Sequence, residues 1–310
     1  KGQKALEQFY ENTRQAVATG DHLSPTCGPR TVPSQPFAPV DLGTALHHKG
    51  TILVLTDTLE GNTGALVGSF SSAFSQPPEV YTLADLGMLG PCMGCLHCGP
   101  SNRCTYEGKD RYTDFFRNKI AQADTIVLAG TLKDRFISSD WRQFFDRSFF
   151  LTHHQNLLWG KRFAFILSGT YSRMPALQSF IATYTEQWQC HLGGIVTDES
   201  GDSMQISKEL LALARTLTRQ LSSGYRRPAS YAGVGGLRLF RDEIYGDLRI
   251  VFKADHRIYR RQGVYDFPNR NIPKRILVFL ADWITRIPPI QRQFTARMVD
   301  GMIQPYRKIL

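Results

Sequence analysis

Four of the six cysteines stand together in Pro91–Cys104, PCMGCLHCGPSNRC, at positions 92, 95, 98 and 104. The order C-x2-C-x2-C-x5-C packs four potential thiolates into one short loop. Cysteines two residues apart seldom reach disulfide geometry without strain. The set suits a soft cationic centre that needs four sulfur donors, either an iron-sulfur cubane or zinc; the alternative is a group of free, oxidisable thiols. Cys92, Cys95, Cys98 and Cys104 are therefore candidate metal ligands, with His97 an alternative donor in the same loop. A second constellation lies upstream. Thr56-Asp-Thr-Leu-Glu-Gly-Asn-Thr63 follows the apolar, β-branched run 51–55 and leads into a helical pattern. A strand feeding a hydroxyl-bearing loop and then a helix N-terminus is a phosphate-site geometry, because amide N–H groups and the helix dipole converge on an anion.

The elements that position these groups read as repeated strand-loop-helix units. Strand patterns cover 51–55, Val80–Leu83, Thr125–Ala129, Phe163–Leu167 and the core of a fifth at Gly194–Val196. Helical patterns run to about Phe74, over 110–122 with Phe115, Phe116 and Ile120 on one face, over Met174–Gln189, and over Ser207–Leu221. Five β/α units predict a doubly wound, five-stranded parallel sheet. Ligands of such sheets lie at the carboxyl ends of the strands, so the loops 56–63, 130–137 and 168–173 should converge. Residues 1–49 read as an N-terminal helix over 4–17 and a Pro-rich extended connector that holds Cys27. Residues 50–222 form the α/β domain, and 223–310 an aromatic, basic extension expected to act as a lid or dimer arm. Within the extension GVGG at 233–236 reads as a glycine turn, and His256 beside Asp255 as a structural hydrogen bond or a proton donor. His153-His154 reads as a helix cap, Asp146-Arg147 as an ion pair locking a helix, and Cys190 as core.

Composition narrows the classes. The chain has 310 residues, of which 42% are hydrophobic, enough for a large globular core. Its net charge of +10 resides in 223–310, where 17 Lys and Arg face 7 Asp and Glu. That end is either a landing surface for an acidic partner or a solvated face. No helix-turn-helix, zinc-finger or RNA-binding pattern points to nucleic acid. The most apolar run, 276–284, is interrupted by Asp282 and soon followed by Pro288-Pro289, which argues against a membrane span. Without a secretion signal, a reducing, cytoplasmic setting is expected, where clustered cysteines mean metal or redox chemistry. Hydrolase motifs G-x-S-x-G and H-E-x-x-H are absent.

Three features in order, T-x-T-x-x-G-N-T at 56–63, the four-cysteine loop, and S-x-W-R-x-F-F-D-R at 139–147, resemble the flavodoxin-like superfamily, specifically its NADPH-dependent FMN reductase and iron-sulfur flavoprotein group. The resemblance spans about Gly50 to Ser222. It implies that Thr56, Thr58, Gly61, Asn62 and Thr63 hold the FMN phosphate, although the group places Ser and Arg where this chain has Thr56 and Thr58. It implies that Thr131, Lys133, Asp134, Arg135 and Phe136 border the isoalloxazine, with Lys133 or Arg135 able to raise its potential. Ser168, Gly169 and Tyr171 would contact the ring from the next loop, and Cys92, Cys95, Cys98 and Cys104 would hold a [4Fe-4S] cluster. The implied activity is an FMN-dependent oxidoreductase with a nicotinamide or ferredoxin-type donor, an unidentified acceptor and a homodimeric assembly. The alternative is a non-catalytic binding or redox-sensing protein on the same scaffold, with a zinc or thiol loop.

Overall fold

The computed structural model describes residues 35–133, 136–151, 157–265 and 272–294, together with residues 3, 7, 10, 11, 13, 14, 297 and 298. Most of the 4–17 helix, Cys27, Asp134, Arg135, His153 and His154 lie outside the described residues.

β1 (Ile52–Thr56) is buried along its whole length and pairs in parallel with β2 (Glu79–Thr82) on one side and β3 (Thr125–Lys133) on the other. β5 (Arg162–Ser168) and β6 (His191–Thr197) extend the parallel sheet, giving the order β2-β1-β3-β5-β6. The short β4 (Phe136–Ile137) pairs antiparallel with the end of β3. The run of Val, Ile, Leu and Phe in these strands is what burial on both faces requires. Alternate residues divide between two cores: Leu53, Leu55, Ile126, Leu128, Phe163 and Phe165 face one, and Val54, Val127, Ala129, Ala164 and Ile166 the other.

The second core is closed by α1 (Gly61–Ser72) and α5 (Ser203–Ser223). Asp202 caps α5 by accepting from Met204 N and Gln205 N, and Gly224 ends it in the left-handed region. The first core is closed by α2 (Tyr112–Phe115), which continues as a π-turn over Phe116–Ile120, by α3 (Ser139–Arg147) and by α4 (Pro175–Gln187). Residues 35–40 run extended against α5, where Ala38 N and Val40 N donate to Ser203 Oγ and Ser207 Oγ.

In the extension, α6 (Tyr231–Tyr245) packs on α4, α7 (Lys253–Arg261) follows a 3-10 turn at Asp247–Ile250, and α8 (Ile272–Ile284) packs on that turn. The expected GVGG turn is instead the first part of α6. Ser230 caps that helix through Gly233 N and is itself held by Glu186 of α4. A Cβ on Gly233 would run into the Glu186 side chain, so this glycine serves close helix approach rather than chain reversal. A second expectation also fails. Arg147 pairs not with its neighbour Asp146 but with Asp110, 37 residues away, at 2.7 and 3.1 Å, both side chains fully buried.

Candidate functional site

In the order β2-β1-β3-β5-β6 successive strands are added on opposite sides of β1, so the carboxyl ends of the parallel neighbours β1 and β3 bound the crevice. The loop leaving β1 folds on itself. Thr56 Oγ1 donates to Thr58 O at 2.7 Å, and Thr58 Oγ1 accepts from Glu60 N at 3.0 Å. Two glycines make the turn feasible. Gly61 has φ +55° with open space where a Cβ would stand, and a side chain on Gly64 would collide with the Leu59 carbonyl. Glu60 occupies the N-cap of α1 without a side-chain cap hydrogen bond.

The three expected loops do converge. Thr63 and Thr131 hydroxyls meet at 2.9 Å, and Thr131 N donates to Asp57 Oδ2 at 3.4 Å, joining the loop after β1 to β3. Asp198, just past β6 and 1% exposed, accepts from Asn62 Nδ2 at 2.8 Å, Ser168 Oγ at 2.7 Å and Gly169 N at 2.7 Å. One carboxylate thus ties together the loops after β1, β5 and β6. Asn62 is held further by Gln35 O and Phe37 N. Asp198 and Asp57 escaped the motif reading; the signal available was their position directly after a parallel strand, at the carboxyl edge of the sheet. Burial pushes the Asp57 carboxyl up from its ordinary value, against the pull of the Ser138 hydroxyl, Thr131 N–H and Lys133 ammonium. Its Oδ1 is buried without a hydrogen bond of good geometry.

On the expected ring side the geometry differs from the sequence reading. The segment Thr131–Phe136 is not a free loop: β3 runs on to Lys133 and pairs with β4, because Leu132 and Ile137 are buried core residues. Phe136 packs edge-on to Phe180 and Phe145 at 5.0 and 6.2 Å, with the Arg142 guanidinium 4.3 Å from its centroid. Its ring is half-buried. Lys133 is exposed, and Tyr171 is half-buried against the first core, its hydroxyl pushed up by burial.

The cysteine loop begins beyond β2 and rests on the buried Arg147–Asp110 pair. Arg147 also donates to Gly90 O at 3.0 Å and stacks over Tyr106 and Tyr112. Cys92 and Cys95 are exposed, Cys98 and Cys104 half-buried, and all four are free thiols. Burial, then the neighbouring thiols Cys92, Cys95 and Cys104, push Cys98 up to about 12. The four are thus near one another, yet among the described residues no three Cys, His, Asp or Glu side chains are grouped to hold a metal ion. A cluster or zinc held by Cys92, Cys95, Cys98 and Cys104 is therefore not supported. The far end of the loop is bound to the extension: Ala254 N donates to Gly99 O at 3.1 Å, and Arg257 Nη2 to Pro100 O at 2.7 Å. His256, the other titratable candidate, meets Tyr265 Oη at 2.9 Å and is pushed down to about 4 by burial. It is a structural hydrogen-bonding group within the extension.

Five parallel strands in this order, with a crevice between β1 and β3, define a flavodoxin-like α/β protein. No protein-family model matches the sequence, and no curated protein resembles it closely enough to count as a match. Among solved structures, the chain is similar to an azoreductase from Bacillus anthracis (TM-score 0.41, 16% identity, 55% of this chain and 100% of that one). It is also similar to the Trp repressor binding protein from Bacillus subtilis (TM-score 0.39, 18% identity, 55% and 99%). A third is an FMN-dependent NADH-azoreductase from B. anthracis in complex with FMN (TM-score 0.40, 14% identity, 54% and 99%). The fold assignment rests on strand order, not on these likenesses.

Proposed function

We propose that this chain is an FMN-dependent oxidoreductase that takes electrons from a reduced nicotinamide. The observation that carries the reading is the convergence of the loops after β1, β5 and β6 and the end of β3 at the N-terminus of α1, at the switch point of a flavodoxin-like sheet. The residues fit the group through their main chain more than their side chains. The first-turn amides of α1 and the space over Gly61 suit the phosphate, and the Thr58 hydroxyl has a proton to donate. The orphaned Asp57 Oδ1 suits a hydroxyl or imide donor on the same ligand. Bound FMN supplies a ring that accepts hydride and releases single electrons. The chain's own part is to orient it: Asp198 fixes Ser168, Gly169 and Asn62, while the Thr63 and Thr131 hydroxyls tie the first turn of α1 to β3. A [4Fe-4S] relay is not part of this proposal, because Cys92, Cys95, Cys98 and Cys104 are not grouped as ligands.

A second reading, a scaffold that binds no flavin, has its own support. Thr56, Asn62 and Thr63 spend side-chain hydrogen bonds within the protein, and the carboxylates Asp57 and Glu60 flank the phosphate position. Thermal unfolding with FMN and with riboflavin separates the two, since a ligand that binds only the native state must stabilise it. The oxidoreductase reading expects a melting temperature raised by FMN well beyond riboflavin, and bleaching of the bound flavin by NADPH or NADH under anaerobic conditions. No rise with FMN abandons it in favour of the scaffold.

A further inference from the structure

α8 is turned inside out. Along α8 and into the turn that follows it, the stripe Val278, Asp282 and Thr285 is buried against the protein, and it is largely polar. Asp282 lies near Arg249 and Lys253, and Lys253 Nζ donates to Thr285 O at 2.7 Å, a cation at the helix C-terminus. The opposite stripe, Ile276, Leu280, Trp283 and Ile287 at helical spacing, is exposed, and Leu277 and Ile284 widen it. Leu277 is 67% and Trp283 63% exposed, values that a soluble helix reserves for polar residues. An apolar face this continuous on the outside calls for a second apolar environment.

Charge identifies which one. Residues 272–294 carry four basic residues and one acidic one, and the acidic Asp282 points inward. Arg257, Arg260 and Arg261 of the neighbouring α7, and Arg286 and Arg292, are exposed. Two copies meeting here would bring like-charged ends together, 17 basic against 7 acidic residues in each. An anionic lipid surface complements that charge instead, and apolar anchors with a tryptophan beside arginines suit the headgroup boundary. No described helix is long and apolar enough to cross a membrane, so the helix would lie in the surface. We propose that the exposed face of α8 docks the protein, in the plane of the interface, on an anionic phospholipid bilayer.

The test is co-sedimentation of the full chain with vesicles of phosphatidylserine and phosphatidylcholine, one to one, and with phosphatidylcholine alone. Binding to the anionic vesicles only, lost when salt is raised to about 1 M, is expected. Leu280→Glu and Trp283→Glu should each lower the partition about tenfold, the worth of one buried apolar anchor. Both positions are exposed, so unchanged circular dichroism and melting temperature confirm folding. The proposal is overturned if the chain pellets with neither vesicle, or equally with both. It is also overturned if wild type is a dimer in ultracentrifugation that Leu280→Glu splits without any vesicle binding. None of these readouts depends on flavin, so the outcome is separate from that of the FMN titration.

Discussion

Replacing Asp255 with asparagine should stabilise the protein more near pH 8 than near pH 5. Asp255 sits in the first turn of α7, 2% exposed, its Oδ1 without a hydrogen-bond partner. Burial pushes its carboxyl up from the ordinary 3.8 to about 7, despite the support of Asn102 and the charge of Arg257. Between those values the native state keeps a proton that the unfolded state has released, so stability falls as pH rises through that window and levels off above it. At about 1.36 kcal/mol per pH unit, the separation between 3.8 and about 7 sets an upper limit of about 4 kcal/mol. His256 works in the opposite sense. Burial holds it near 4, so protonating the unfolded chain below pH 6.5 removes stability as the pH drops. The readout is therefore the difference between wild type and Asp255→Asn in urea denaturation at pH 5, 6, 7 and 8, where His256 cancels. A difference growing by about 1 to 3 kcal/mol over that range is expected, since only the part of the window between pH 5 and about 7 lies within it. Equal pH profiles for the two proteins would refute the argument that burial dominates at this site.

Other expectations concern the residues that hold the loops. Asp198→Ala leaves donors from Asn62, Ser168 and Gly169 without their acceptor and should cost about 2 to 4 kcal/mol in denaturant titration. A cost below about 0.5 kcal/mol would mean the three loops do not need this carboxylate. Arg147→Met strands the buried Asp110 and should cost about 3 to 5 kcal/mol, with the cysteine loop more open to protease. Limited alkylation of native protein at pH 8 should modify Cys92 and Cys95 well before Cys98 and Cys190, because the first two are exposed while burial keeps the others protonated. Equal rates at Cys95 and Cys98, read by mass spectrometry, would contradict the buried setting of Cys98.

Much of the scaffold was legible because its signal is local. Continuous apolar runs such as 51–55 and Phe163–Leu167 can only be strands covered on both faces, and the parallel sheet follows from the helices between them. The hydroxyl-and-glycine loop at 56–63 announced a strand-to-helix turn at the carboxyl edge, and the loops expected to meet there do meet. Local pattern misled where a residue's neighbour in space lies far away in sequence. GVGG reads as a turn, yet packing against Glu186 places it in a helix. Arg147 sits beside Asp146 in the chain, but Asp110 offers both oxygens from within the core.

The sequence by itself determined the sheet, its two-sided core and the place of the crevice, since hydrophobic period and turn chemistry act over a few residues. Tertiary structure alone decided what fills that edge. Asp198 arrives from the end of β6 to bind donors from α1 and β5, Phe136 turns into an aromatic cluster, and Gly99 and Pro100 of the cysteine loop are claimed by α7. Each of these depends on which distant segment satisfies a buried polar group or ring first, a competition settled by the packed chain and not by spacing along it.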